Sequence, residues 1–102
     1  MKFLDIDANG FRDVGDFYDA LCRAVGAPDW HGGGPDAFVD SMIWGGINTL
    51  EPPYTVRVLG TSHLSADLKS AITDVAESLS SGRADRKNRR GDDVDVHMEV
   101  LP

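Results

Sequence analysis

The sequence predicts an α/β protein: a three-stranded parallel sheet with three or four helices, in the order β-α-α-β-α-β. Three observations predict it. Residues 2–7, 54–59 and 94–100 carry the alternating or β-branched-rich pattern of short strands. The stretches between them place apolar residues three and four apart, the spacing of helices packed on one face. Strands separated by helices pair in parallel through right-handed crossovers. The chain of 102 residues reads as a single domain over 1–102, large enough for a modest core.

Each element follows from its local sequence. Lys2 to Asp7 sets Phe3, Asp5 and Asp7 against Leu4 and Ile6, a strand with one core-facing side. Asn9-Gly10 signals a turn. Asp13 caps the first helix, and Asp16 suits its positive amino end. Val14, Phe17, Tyr18, Leu21, Cys22 and Val25 form its apolar stripe. Gly26 closes that helix and Pro28 prevents its continuation. Asp29-Trp30-His31-Gly32-Gly33-Gly34 is a loop, and Pro35 opens a short helix running to Trp44, ended by Gly45-Gly46. Tyr54 to Leu59 is the second strand. Ser65 caps a third helix with Leu68, Ile72, Val75, Ala76 and Leu79 as its stripe, and Ser80-Ser81-Gly82 loosens its end. Residues 83–90, five bases against one acid, have no apolar period and read as a solvated loop. Val94, Val96, Met98 and Val100 alternate with polar residues, a strand at a sheet edge.

Composition narrows the function. Seventeen acids against ten bases give −7, which makes nucleic acid a poor partner and a cationic protein a better one. The basic octet lacks an aromatic residue for base stacking and is flanked by acids, so no direct nucleic-acid binding is expected. No apolar run approaches the length of a membrane span, and acids occupy the positions where a signal peptide is apolar. The single Cys22 lies on an apolar stripe, where a small buried thiol is the simplest role. A reduced, cytoplasmic setting is expected. Cys22, His31, His63 and His97 show no paired ligand spacing, and neither a metal nor any other cofactor is expected.

Possible catalytic motifs are incomplete. His31-Gly32-Gly33-Gly34 resembles an esterase oxyanion loop, but no G-x-S-x-G elbow accompanies it. The same glycines before a helix suggest a phosphate cradle, but Asp36 in the first turn repels an anion and no Gly-Lys-Ser/Thr follows. Asp36 and Asp40 are four apart on one helix face, without the pocket and unequal environments that a general acid and base require. At about 100° per residue, Asp36, Asp40 and Trp44 share the outer stripe of this helix, and Ala37, Phe38, Ser41 and Met42 face the sheet. Acids kept beside aromatic residues, with Trp30 and His31 flanking, form a surface suited to a partner protein.

Ala27-Pro28-Asp29-Trp30-His31-Gly32, followed by Asp36-Ala37-Phe38-Val39-Asp40, resembles the signature of the barstar family, intracellular inhibitors of barnase-type ribonucleases. Asp16-Phe17-Tyr18-Asp19-Ala20-Leu21 also fits it, and the order of elements matches along nearly the whole chain. The resemblance implies a barstar-like fold and no catalysis: the second helix and its preceding loop plug a nuclease active site. Trp30 takes the aromatic position, Asp36 the first helix acid, and Asp40 the central acid that stands where a substrate phosphate sits. The partner-binding set is then Trp30, His31, Asp36, Asp40 and Trp44, and the partner a cationic extracellular-type ribonuclease or nuclease toxin. Gly34, Pro35 and Val39 depart from the family pattern, and Trp44 is displaced by one position. Ser70, Asp74 and Glu77 all compete for the place of a family glutamate on the last helix. An interaction module whose partner is not a nuclease is the alternative reading, and a small enzyme using the acidic helix a third.

Overall fold

A computed structural model describes residues 2–27, 34–44, 48 and 50–102, with 34–38 described by their backbone alone. Strands β1 (Lys2–Asp7), β2 (Tyr54–Leu59) and β3 (Val96–Val100) form an all-parallel sheet in the order β1-β2-β3. Helix α1 (Val14–Val25) and helix α2 (Gly34–Trp44) lie between β1 and β2, and helix α3 (Ala66–Arg90) lies between β2 and β3. A 3-10 turn, Ala8–Gly10, follows β1. Lys2 stands opposite Tyr54 and Tyr54 opposite Val96, so even-numbered residues of all three strands share one face. The strand residues in the core are all even: Ile6, Tyr54, Val56, Val58 and Val96. Side chains of α1, α2 and α3 join that same core, as successive crossovers of one hand in one direction require. The odd face of the sheet is polar, with Arg57 held by both carboxylate oxygens of Asp5 at 2.6 and 3.0 Å.

The expected caps form. Asp13 accepts from the Asp16 amide at 3.0 Å, and Asp16 in turn accepts from the Arg12 amide at 2.8 Å, two reciprocal bonds that satisfy amides at the start of α1. Gly26 ends the helix at φ 67°, in the left-handed region that costs other residues more. Ser65 accepts from the Leu68 amide at the start of α3. Phe17, Leu21 and Val25 of α1 and Leu68, Ile72, Val75 and Leu79 of α3 are buried, as their spacing predicts.

One expectation is overturned. Residues 83–90 are not a loop: α3 runs unbroken from Ala66 to Arg90. The last two turns are held by charge rather than by apolar burial, which is why they lack an apolar period. Arg83 donates to both oxygens of Asp93, at 3.1 and 2.7 Å, and to His97 Nδ1 at 2.9 Å. Arginine only donates, so Nδ1 accepts and His97 carries its proton on Nε2, which donates to Asp95 at 2.7 Å. Arg86 pairs with Asp92, and Arg89 with Asp85 one turn before it. Lys87, Arg89 and Arg90 also oppose the negative carboxyl end of the helix, and Gly91 closes it at φ 77°. The octet is therefore a helical extension that ties α3 to the segment entering β3. In that segment Asp95 adopts φ 61°, with its amide bonded to Asp93 Oδ1.

This latch gives a pH dependence. Hydrogen bonds from Arg83 pull the Asp93 carboxyl down to about 2, and Arg86 lowers Asp92 in the same way. A carboxylate with a lowered folded pKa stabilises the fold above its unfolded value near 4 and loses that contribution as pH falls. In urea unfolding followed by circular dichroism, wild type is expected to exceed Asp93→Asn in stability above pH 4. The gap should close as pH approaches 2. A gap that does not change with pH contradicts the assignment.

Candidate functional site

α2 is short and bounded by glycines in sequence, Gly32-Gly33 before its first residue, Gly34, and Gly45-Gly46 after it. Helices of this length are marginal alone and depend on tertiary contacts. Its principal neighbour is α3. Val39, Met42 and Ile43 are buried in the shared core. Ser41 is buried as well and accepts from the Asn48 side-chain amide at 3.1 Å. Asp40 and Trp44 are exposed. The outward orientation of Asp40 and Trp44 and the inward one of Ser41 and Met42 follow the predicted helical faces. Val39 and Ile43 extend the buried face beyond the expected residues.

The two helices run side by side in the same direction. Ile43 sits against Gly82, whose absent side chain makes room for it: a Cβ there would lie 3.0 Å from Ile43 Cγ1. Gly82 is thus a crossing point inside α3, not the loosened end that the sequence predicts. One to two turns earlier, the helices part into an open groove of about 650 Å³, lined by Val39, Asp40, Asp74, Glu77, Ser78 and Ser81. Three exposed carboxylates line it, from both helices, and no base does among the described residues. Such a concentration of one sign attracts a cationic surface and speeds encounter with it. Burial, and secondarily the charge of Asp74, pushes the phenol of Tyr18 on α1 up from the ordinary value.

Toward the carboxyl end of α2 the charge reverses. Trp44 is 40% exposed, and the guanidinium carbons of Arg86 and Arg90 lie 5.5 and 5.9 Å from its ring centroid. These are cation–π distances. Trp30 and His31 lie outside the described residues. Asp36 occupies the first turn of α2, but its side chain lies outside the described set, as do those of Ala37 and Phe38. The structure therefore brings Asp40 together with Asp74 and Glu77, two of the three residues that compete for the family glutamate; Ser70 does not line the groove. Arg86, its second contribution to this face, escapes a reading based on apolar period. Its signal was the basic last turn followed by Gly91, a helix-end pattern.

Among the described residues, no group of three His, Cys, Asp or Glu side chains is arranged to hold a metal ion. No described helix is long and apolar enough to cross a membrane.

A parallel sheet in sequential order, covered on one face by helices, with an acidic furrow between the second helix and the last, is a barstar-like α/β architecture. The family model described as "Barstar (barnase inhibitor)" matches residues 1–99, and the chain belongs to this family. Comparison with curated proteins gives no match.

The Gly82 crossing is testable against helix propensity. Leucine is the better helix former, yet Gly82→Leu is expected to destabilise by about 1–3 kcal/mol, because its side chain crowds the buried Ile43. Chemical denaturation measures this, and a more stable Gly82→Leu variant would contradict the close approach.

Proposed function

We propose that this protein is an inhibitor, not an enzyme, that binds and blocks the active site of a ribonuclease or related nuclease toxin through α2 and the loop before it. Membership in the Barstar family supports the class of target. The observation that carries the reading is the acidic groove: Asp40 stands exposed on α2 with Asp74 and Glu77 beside it on α3. A nuclease active site binds the phosphates of its substrate with cationic side chains. A carboxylate presented on a rigid helix can take the place of a phosphate there, through the same charge-assisted hydrogen bonds.

In this reading Asp40 is the central phosphate mimic and Asp36 a more peripheral one. Trp30, His31 and Trp44 supply the aromatic contact area around them. The net charge of −7 steers a cationic enzyme toward the face at long range. Blocking the cleft requires no chemistry from the inhibitor and no metal or other cofactor. A cytoplasmic location fits a protein that protects the cell making the nuclease.

Inhibition of a barnase-type ribonuclease, measured with a fluorogenic RNA substrate, tests this. Wild type is expected to inhibit with an association rate that falls as salt rises. Asp40→Ala should lose about 2 kcal/mol or more of binding, chiefly through faster dissociation, because the bases of the cleft are left buried and unpaired. Asp36→Ala should lose less, and Trp30→Ala should weaken binding with little change in salt dependence. Equal inhibition by wild type and Asp40→Ala would sink the phosphate-mimic model.

A further inference from the structure

The carboxyl end of α2 leaves backbone carbonyls that need partners from beyond the helix. The last four carbonyls of a helix have no partner within it, and α2 ends at Trp44. One of those carbonyls, that of Ile43, is met from outside: Arg86 Nη1 donates to it. The same guanidinium lies over the face of Trp44 and is fixed from behind by Asp92, through Nε at 3.4 Å and Nη2 at 2.9 Å. Its side chain is only 18% exposed. Arg86 therefore touches the backbone of α2, the last side chain of α2 and the segment that leads into β3.

From this geometry we infer that Arg86 is a positioning residue: it caps α2 from the basic extension of α3 and holds the helix that presents Asp40 in its binding form before any partner arrives. Three features make the role specific. Arg86 has the planar fork needed to engage a carboxylate, a carbonyl and an aromatic face together, which lysine lacks. α2 is short and bounded by glycines, so its last turn has little intrinsic tendency to persist. Arg86 also falls one helical turn beyond Gly82, where α3 and α2 are already in contact. The extension, written in sequence as a run of charge, thus serves as an external cap for a neighbouring helix. A helix ordered in advance does not have to be ordered on binding, which preserves affinity. That last consequence rests on the inhibitor reading; the cap itself does not.

Amide hydrogen exchange of the free protein, followed by NMR, tests the cap. Arg86→Ala is expected to speed exchange at residues 41–44 about tenfold or more, with the β2 amides unchanged, since a hydrogen bond to a charged donor is lost. Arg86→Lys should fall between the two. Arg89→Ala, which removes an exposed arginine paired with Asp85, should match wild type. Unchanged exchange in α2, or an equal rise throughout the core, overturns the inference. A second arm measures the affinity of wild type and Arg86→Ala for a barnase-type ribonuclease, with several-fold weaker binding expected for the variant. Weaker binding without faster α2 exchange would make Arg86 a direct contact and overturn the positioning role. Faster exchange with unaltered affinity would overturn its bearing on binding. Failure of the wild type to bind would refute the inhibitor reading and leave the exchange arm to decide the cap.

Discussion

α2 and α3 pack side by side, with Ile43 of one against Gly82 of the other. α2 is too short to be stable alone, and α3 is its main support. Gly82 lets Ile43 approach the α3 backbone, and buried Val39, Met42 and Ile43 anchor the helix in the shared core. That contact sets the rotation of α2 about its own axis, so Asp40 and Trp44 must face outward. It also sets the register of the two helices, and the register decides which residues of α3 stand beside Asp40. Asp74 and Glu77 meet it there because they precede the crossing by one to two turns. A rotation of either helix by one residue would disperse the three carboxylates.

The face that results has two electrostatic halves. Around the groove the carboxylates are uncompensated by any lining base among the described residues. Around Trp44, Arg86 and Arg90 of the α3 extension lie over the indole, and Asp92 pairs with Arg86, while Asp93 pairs with Arg83 one turn earlier. Net charge alone conceals this division. Long-range attraction of a cationic partner comes from the whole chain and from the groove, while the paired arginines act at short range, by holding structure. Carboxylates with lowered pKa values on the α3 side fit that division: the bonds from Arg83 and Arg86 keep Asp93 and Asp92 ionised for a structural purpose.

The parts of the fold held by apolar burial were legible in the sequence. The spacing of Phe17, Leu21 and Val25, the alternation of Leu4 and Ile6, and the caps at Asp13, Gly26 and Ser65 each carry a local signal, and each element forms where that signal lies. The second half of α3 carries no such signal. Its helix is stabilised by ion pairs to residues beyond its end and by contact with α2, so Gly82 and the bases after it read as a break and a loop. The candidate site divides in the same way. Asp40 could be placed on an outward face from helical geometry alone. That Asp74 and Glu77 line the groove beside Asp40 and Ser70 does not depends on the register between two helices, which no single segment encodes. Trp30 and His31 are supported by the family resemblance and lie outside the described residues.

The proposed inhibition sets the α2–α3 face against the target. Mapping backbone amide shifts on addition of a catalytically inactive barnase-type ribonuclease tests it most directly. Perturbations are expected to concentrate at residues 34–44 and along α3 from Asp74 to Ser81, and to leave the β1 edge and the Asp5–Arg57 pair on the opposite face of the sheet unmoved. Perturbations confined to that opposite face, with α2 silent, would contradict it.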